Sequence, residues 1–229
     1  MVATASDRLP TLQVVTRRLR VEWAPGRKVD ALLDVAGPGH PAILLASGAG
    51  AGQRHPFMAG MRRRLYGGGL TVMTFDYPYA DEGRRAPDRM LVLLACHEAA
   101  RDRLAEYSAK LVLAGKSMGG RMATHVAAEG TTPAGVVVYG YPLQPPGARE
   151  PRDTSHLARI EAPVLLISGE RDRMGPAPLL EQIASVEGMR LERVPLADHG
   201  FRVPRSSGLE PDQVLDDLAS RTLSWMEAF

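Results

Sequence analysis

The sequence predicts an α/β fold, built as a mostly parallel, doubly wound sheet with helices on both faces. Three observations carry that expectation. Short continuous apolar runs at Ala42–Ala46, 70–75, 111–114, 136–139 and 164–168 read as strands buried on both faces. Helical patterns over 55–66, 88–107, 118–129 and 176–186 alternate with them, as parallel strands joined by crossover helices require. A chain of 229 residues suits one large core and leaves little room for a second. Residues 11–229 are therefore expected to form one domain behind a loose tail over residues 1–10.

At the start, residues 11–21 and 28–36 alternate apolar and polar side chains around Ala24-Pro25-Gly26, which predicts two antiparallel strands and a turn. Pro38-Gly39-His40-Pro41 breaks the chain before the first buried strand. That strand runs into Ser47-Gly48-Ala49-Gly50-Ala51-Gly52, where Gln53 occupies the position at which the dinucleotide fingerprint needs a third glycine. Gly67-Gly68-Gly69 ends the next helix, and Asp76-Tyr77-Pro78-Tyr79 reads as the exit loop of the strand over 70–75. Residues 84–88 are polar and proline-containing, as in a mobile loop. Residues 141–162 are rich in proline, glycine and charge, with one helical turn at 154–158, too short for a folded lid. A strand at 189–195 and an amphipathic helix at 212–229 complete the chain.

Composition excludes several classes of function. Lys+Arg 28 against Asp+Glu 26 gives a net charge of +2, so no strong field of either sign is expected. The run Arg62-Arg63-Arg64 falls on a helix and reads as a solvated face rather than a nucleic-acid patch. One cysteine, Cys96, excludes an internal disulfide, fits a reducing compartment and lies mid-helix as a buried or neutral thiol. No apolar run approaches the roughly 18–20 residues of a membrane span, and no signal pattern opens the chain. Cytoplasmic residence is the expectation, with no membrane or nucleic-acid partner, no cofactor and no metal.

The chemistry centres on Gly115-Lys116-Ser117-Met118-Gly119, which stands between a buried strand and a helical pattern. This is the G-x-S-x-G corner in which a strained turn lifts the serine hydroxyl above the sheet, and it makes Ser117 the candidate nucleophile. A phosphate-binding P-loop would need glycine where Lys110 stands. A bland reading, in which small residues merely let a helix pack on a strand, competes until the later loops are considered. Gly169-Glu170-Arg171-Asp172 follows one late strand and Ala197-Asp198-His199-Gly200 another, so the chain order is serine, acid, histidine.

Serine is a weak nucleophile and needs a base, for which imidazole is suited. Of six histidines, His199 alone lies in a loop directly after a late strand; His97 and His125 fall in helices, His40 and His55 precede prolines, and His156 lies in the proline-rich connection. Asp172 is the expected partner of its second ring nitrogen, with Glu170 the runner-up and Asp198 ordering its own loop. The N–H of Met118 and that of Ala49, with Gly50 left open beside it, are the expected oxyanion donors. Adjacent residues at a strand end project to opposite faces, so the Lys116 amine is expected to point away from Ser117.

With these residues placed, the chain resembles an α/β-hydrolase of the dienelactone-hydrolase-related group. More closely, it resembles a family of small hydrolase-like domains found in bacteria, in a testis-expressed protein and in a subunit of a histone-acetyltransferase complex. The matching pieces are Gly48-Ala49-Gly50, His55-Pro56-Phe57-Met58, Gly115 to Arg121, Tyr141-Pro142-Leu143, Gly169 to Met174 and Asp198-His199-Gly200. Dienelactone hydrolases carry cysteine where Ser117 stands, and many α/β-hydrolases carry histidine where Ser47 stands. The resemblance implies an α/β-hydrolase fold with no separate lid domain and a serine hydrolase acting on a small ester, thioester or other acyl substrate through a covalent acyl-enzyme. It also supplies an alternative, a vestigial binding or scaffold module.

Overall fold

The computed structural model describes residues 15–130 and 132–228. The expected tail over 1–10 and the first residues of the expected strand over 11–21 lie outside the described residues. Strand β1 (Arg17–Ala24) turns at Pro25-Gly26 into β2 (Arg27–Asp34), its antiparallel partner. Then come β3 (Ala42–Ala46), α1 (Pro56–Gly67), β4 (Thr71–Phe75), α2 (Pro78–Asp81) and α3 (Met90–Ala105). The second half runs β5 (Leu111–Lys116), α4 (Met118–Ala128), β6 (Gly135–Tyr139), β7 (Val164–Gly169), α5 (Ala177–Ala184), β8 (Met189–Val194) and α6 (Pro211–Met226). Among the described residues, all eight strands form one sheet in the order β1-β2-β4-β3-β5-β6-β7-β8. β2 meets β4 antiparallel, and every pair from β4 to β8 is parallel.

The continuous apolar runs are explained by burial on both faces. Leu44, Met73, Leu113, Val136 and Leu166 face one core with Cys96 and Leu104 of α3, Met122 and Val126 of α4 and Leu180 of α5. Their chain neighbours Ile43, Val72, Val112, Val137 and Leu165 face the other, against Met58 and Met61 of α1 and Leu218 and Trp225 of α6. Side chains alternate across a strand, so neither face is spare for polar residues. Each fully buried aliphatic side chain of this kind contributes about 1.5–3 kcal/mol.

Two sequence expectations are corrected. The exit of β4 is not all loop: Pro78 opens the short α2, where the Asp88 carboxylate accepts the Tyr79 N–H at 2.8 Å and Asp81 accepts the Asp30 N–H at 2.9 Å. Nor is the arginine run a solvated face. The Arg62 Nε lies 3.5 Å from an oxygen of the buried Asp34 of β2, and Arg64 bridges Asp212 at 2.9 Å and Asp216 at 2.6 Å on α6. α1 has neighbours on both flanks, and of the three arginines only Arg63 is left fully facing solvent.

Strand order also locates the site. The chain leaves β3 towards β4 and leaves the adjacent β5 towards β6, so connections from these two neighbours run in opposite directions and open a crevice at the carboxyl ends of β3 and β5.

Candidate active site

Ser117 caps α4 with φ 51° and ψ −113°, a backbone region costly for any residue with a β-carbon. The corner is held because the Ser117 N–H donates to the Tyr139 carbonyl at 2.9 Å and its own carbonyl accepts from the Arg121 N–H at 3.0 Å. The flanking glycines are steric necessities. A β-carbon on Gly115 would stand 2.3 Å from the Gly119 carbonyl carbon, and one on Gly119 would stand 2.4 Å from the Ala46 carbonyl oxygen.

The structure brings Ser117, His199 and Asp172 into one hydrogen-bonded line. Ser117 Oγ is 2.9 Å from His199 Nε2, and His199 Nδ1 is 2.8 Å from Asp172 Oδ2. The other Asp172 oxygen accepts the N–H groups of Met174 at 2.8 Å and Gly175 at 3.2 Å. Burial alone would raise this carboxyl; hydrogen bonding and charge from His199, the Met174 N–H and the Lys116 ammonium outweigh it and hold the carboxyl below its ordinary value. Glu170 instead accepts the Leu196 N–H at 3.1 Å, and Asp198 accepts those of Gly200 at 2.8 Å and Arg202 at 2.9 Å.

The loop after β3 lies on the elbow: a β-carbon on Gly48 would stand 3.4 Å from the Lys116 carbonyl oxygen and 3.6 Å from Ser117 Cβ. Met118 occupies the first position of α4, where an N–H has no acceptor within the helix, and Ala49 stands exposed at the cleft. Ala49 and Ser117 both line a cleft of about 680 Å³ whose walls include Phe57, Phe201 and Leu215. The Phe57 and Phe201 rings stack at 5.9 Å, and Phe201 has φ 59°, so the base loop is strained two residues beyond its histidine. Among the described residues, no group of three or more His, Cys, Asp or Glu side chains could hold a metal ion, and no helix is long and apolar enough to cross a membrane.

A family model for the alpha/beta hydrolase domain matches residues 39–227. The chain belongs to that family. In fold, this hydrolase domain is similar to a dienelactone hydrolase from Anabaena variabilis ATCC 29413, with 23% identity over 95% of this chain and 99% of that one and a TM-score of 0.75. It is also similar to Est1E from Butyrivibrio proteoclasticus, with 14% identity over 93% and 99% of the two chains and a TM-score of 0.72. A third similar structure is a serine hydrolase without lid from Xanthomonas campestris, with 18% identity over 92% and 93% and a TM-score of 0.70.

Residues not anticipated from sequence support the domain's glycine-rich loop. The Ser47 hydroxyl donates to the Ala51 carbonyl at 3.1 Å, and Tyr79 reaches the Gly48 carbonyl at 3.3 Å. Gln53 is buried, donates through its amide to Asp76 at 2.9 Å and the Asp30 carbonyl at 3.1 Å, and accepts from Thr74 at 3.1 Å. The Gln53 backbone N–H donates to Asp76 as well, at 2.7 Å. Polar residues immediately after a buried strand, Asp76 and Tyr79, were the available signal. Lys116 also differs from expectation: its side chain bends into the cleft and its amine ends beside Gly140 and His199.

Proposed function

We propose that this α/β-hydrolase domain is a serine hydrolase acting on an ester, thioester or other acyl substrate. The observation that carries the reading is the unbroken relay from Ser117 Oγ through His199 to the buried Asp172, at 2.9 Å and 2.8 Å. Ser117 Oγ adds to the substrate carbonyl carbon as its proton passes to His199 Nε2, and the carbonyl π electrons move onto oxygen. The N–H groups of Met118 and Ala49 face that oxygen, each worth about 3 kcal/mol to the transition state. When the adduct collapses, the bond to the leaving group breaks and the imidazolium returns its proton to it. Water repeats the sequence, releasing the acid and restoring Ser117.

Aromatic and aliphatic cleft walls favour an apolar acyl or aryl group beside the nucleophile. Between β6 and β7 the described chain forms no helix beyond the 3-10 turn Ser155–Arg159, which favours a lidless domain spanning residues 11–229. The single, buried cysteine fits the cytoplasm. Kinship with the testis-expressed and histone-acetyltransferase-subunit domains rests on the His55 to Met58 and Tyr141 to Leu143 segments. The vestigial-module alternative is disfavoured by a fully occupied relay and by similarity to hydrolases.

The test is covalent labelling by a fluorophosphonate, in which Ser117 Oγ bonds to phosphorus and fluoride leaves. Labelling is expected at pH 8 and is expected to vanish in Ser117→Ala and His199→Ala while both variants keep their circular dichroism. Absence of labelling in the intact protein, or labelling that survives Ser117→Ala, would defeat the enzyme reading.

A further inference from the structure

Lys116 stands in the cleft beside the nucleophile with no task in the mechanism above. Its stem crosses Gly48, where a β-carbon would lie 3.7 Å from Lys116 Cγ, and its Nζ ends next to Gly140. A β-carbon on Gly140 would stand 3.2 Å from that Nζ and 3.3 Å from both Cε1 and Nδ1 of His199. Amine and imidazole therefore wall the same small space, one that only glycine leaves open. The Phe201 ring centroid lies 5.4 Å from Nζ.

No hydrogen-bond acceptor among the described residues reaches this amine. Asp172 is committed to His199, Met174 and Gly175, and Asp198 to the N–H groups of Gly200 and Arg202. Ser117 Oγ is bonded to His199 and not to Lys116. Desolvation lowers the ammonium to about 8 against the opposing pull of Asp172 and Asp198, so it is a cation at neutral pH and below.

We propose that Lys116 sets the working range of the base: a positive charge held at the Cε1–Nδ1 edge of His199 opposes a second positive charge on the ring, and keeps the imidazole free to take the Ser117 proton at lower pH. The inference rests on the serine-hydrolase reading. Among the described residues, charged side chains reach the ring's surroundings from several elements. Lys116 ends β5, Asp172 follows β7, and Asp198 belongs to the ring's own loop, 3.7 Å from Arg202, which lines the same cleft. Across the cleft stands His55, whose Nδ1 accepts the Phe57 N–H at 3.3 Å. Asp172 favours a charged imidazole, and Lys116 is the cation that restrains it. Lys116 is thus a positioning residue in the electrostatic sense, acting through His199.

The experiment compares fluorophosphonate labelling rates from pH 5 to 9 in the wild type, Lys116→Met and Lys116→Arg. Removing the charge should move the rising limb to higher pH by about one unit, so that Lys116→Met labels about tenfold more slowly near pH 6. Above pH 8.5 the rates should converge, and Lys116→Arg should follow the wild type. A purely structural role would lower the rate at every pH. Should methionine disturb the fold by circular dichroism, Lys116→Gln supplies the neutral variant. A rising limb unmoved in the neutral variants, or moved equally in Lys116→Arg, would overturn the proposal. No labelling of the wild type at any pH would instead defeat the hydrolase reading itself.

Discussion

At the scale of single residues, the assignment most open to challenge by substitution is the acid. Asp172 and Glu170 lie two positions apart after the same strand, yet their carboxylates do different work. Asp172 is buried against the imidazole, and Glu170 ties down the Leu196 N–H. Asp172→Asn keeps the shape but offers His199 an amide that disfavours the productive tautomer, and steady-state kinetics on an activated ester should show kcat lower by about 10⁴-fold. Glu170→Gln retains an acceptor for Leu196 and should leave turnover nearly unchanged. Reversed effects would move the acid to Glu170.

Among the elements, legibility followed the number of neighbours each one needs. β3, β5, β6 and β7 are buried on both faces, so their apolar runs could be read without knowing what packs on them. The elbow was legible because its steric demand is local, glycine two residues either side of a serine. The parts that were not legible depend on residues far along the chain. Arg62 and Arg64 look like surface charge until α1 is seen between Asp34 and the carboxylates of α6. Gln53 looks like a broken glycine motif until Asp76 arrives from β4 to pin it. Lys116 obeys strand alternation at its backbone, but four flexible methylenes let the amine return to the site.

For the molecule as a whole, two buried histidines, His97 and His156, and the half-buried His125 contribute to the response to acid. Desolvation first, then neighbouring charge, lowers His97 to about 3, His125 to about 3 and His156 to about 4. His125 and His156 stack with ring centroids 3.6 Å apart beside Arg121 and Arg159, and His97 accepts or donates at Tyr77 Oη over 2.9 Å. All three are neutral in the folded state, whereas the unfolded chain takes up protons below about 6.5. Their contribution to stability is complete above about pH 6.5 and is lost as pH falls towards 4. Urea midpoints should be level from pH 7 to 8 and fall between 6 and 4.5, and His156→Gln should flatten that fall. An unchanged slope in the variant would show that the stacked pair is not its source. The lowered carboxyl of Asp172 acts in a separate window, below its unfolded value.

The position of β8 sets how this protein fails when warmed. The base is carried five residues beyond a strand that pairs with β7 alone at the margin of the sheet, and the nucleophile by β5, which has β3 and β6 on its two sides. Marginal strands open more readily than central ones. Fraying there would draw His199 off Ser117 and leave the elbow intact. Amide deuterium uptake should accordingly be faster over 189–202 than over 111–120, and labelling should decline several degrees before the circular dichroism melts; simultaneous loss of both would mean the margin is as firmly held as the centre. Heat inactivation would then be a reversible disengagement of base from nucleophile, recovered on cooling as long as the central strands had not parted.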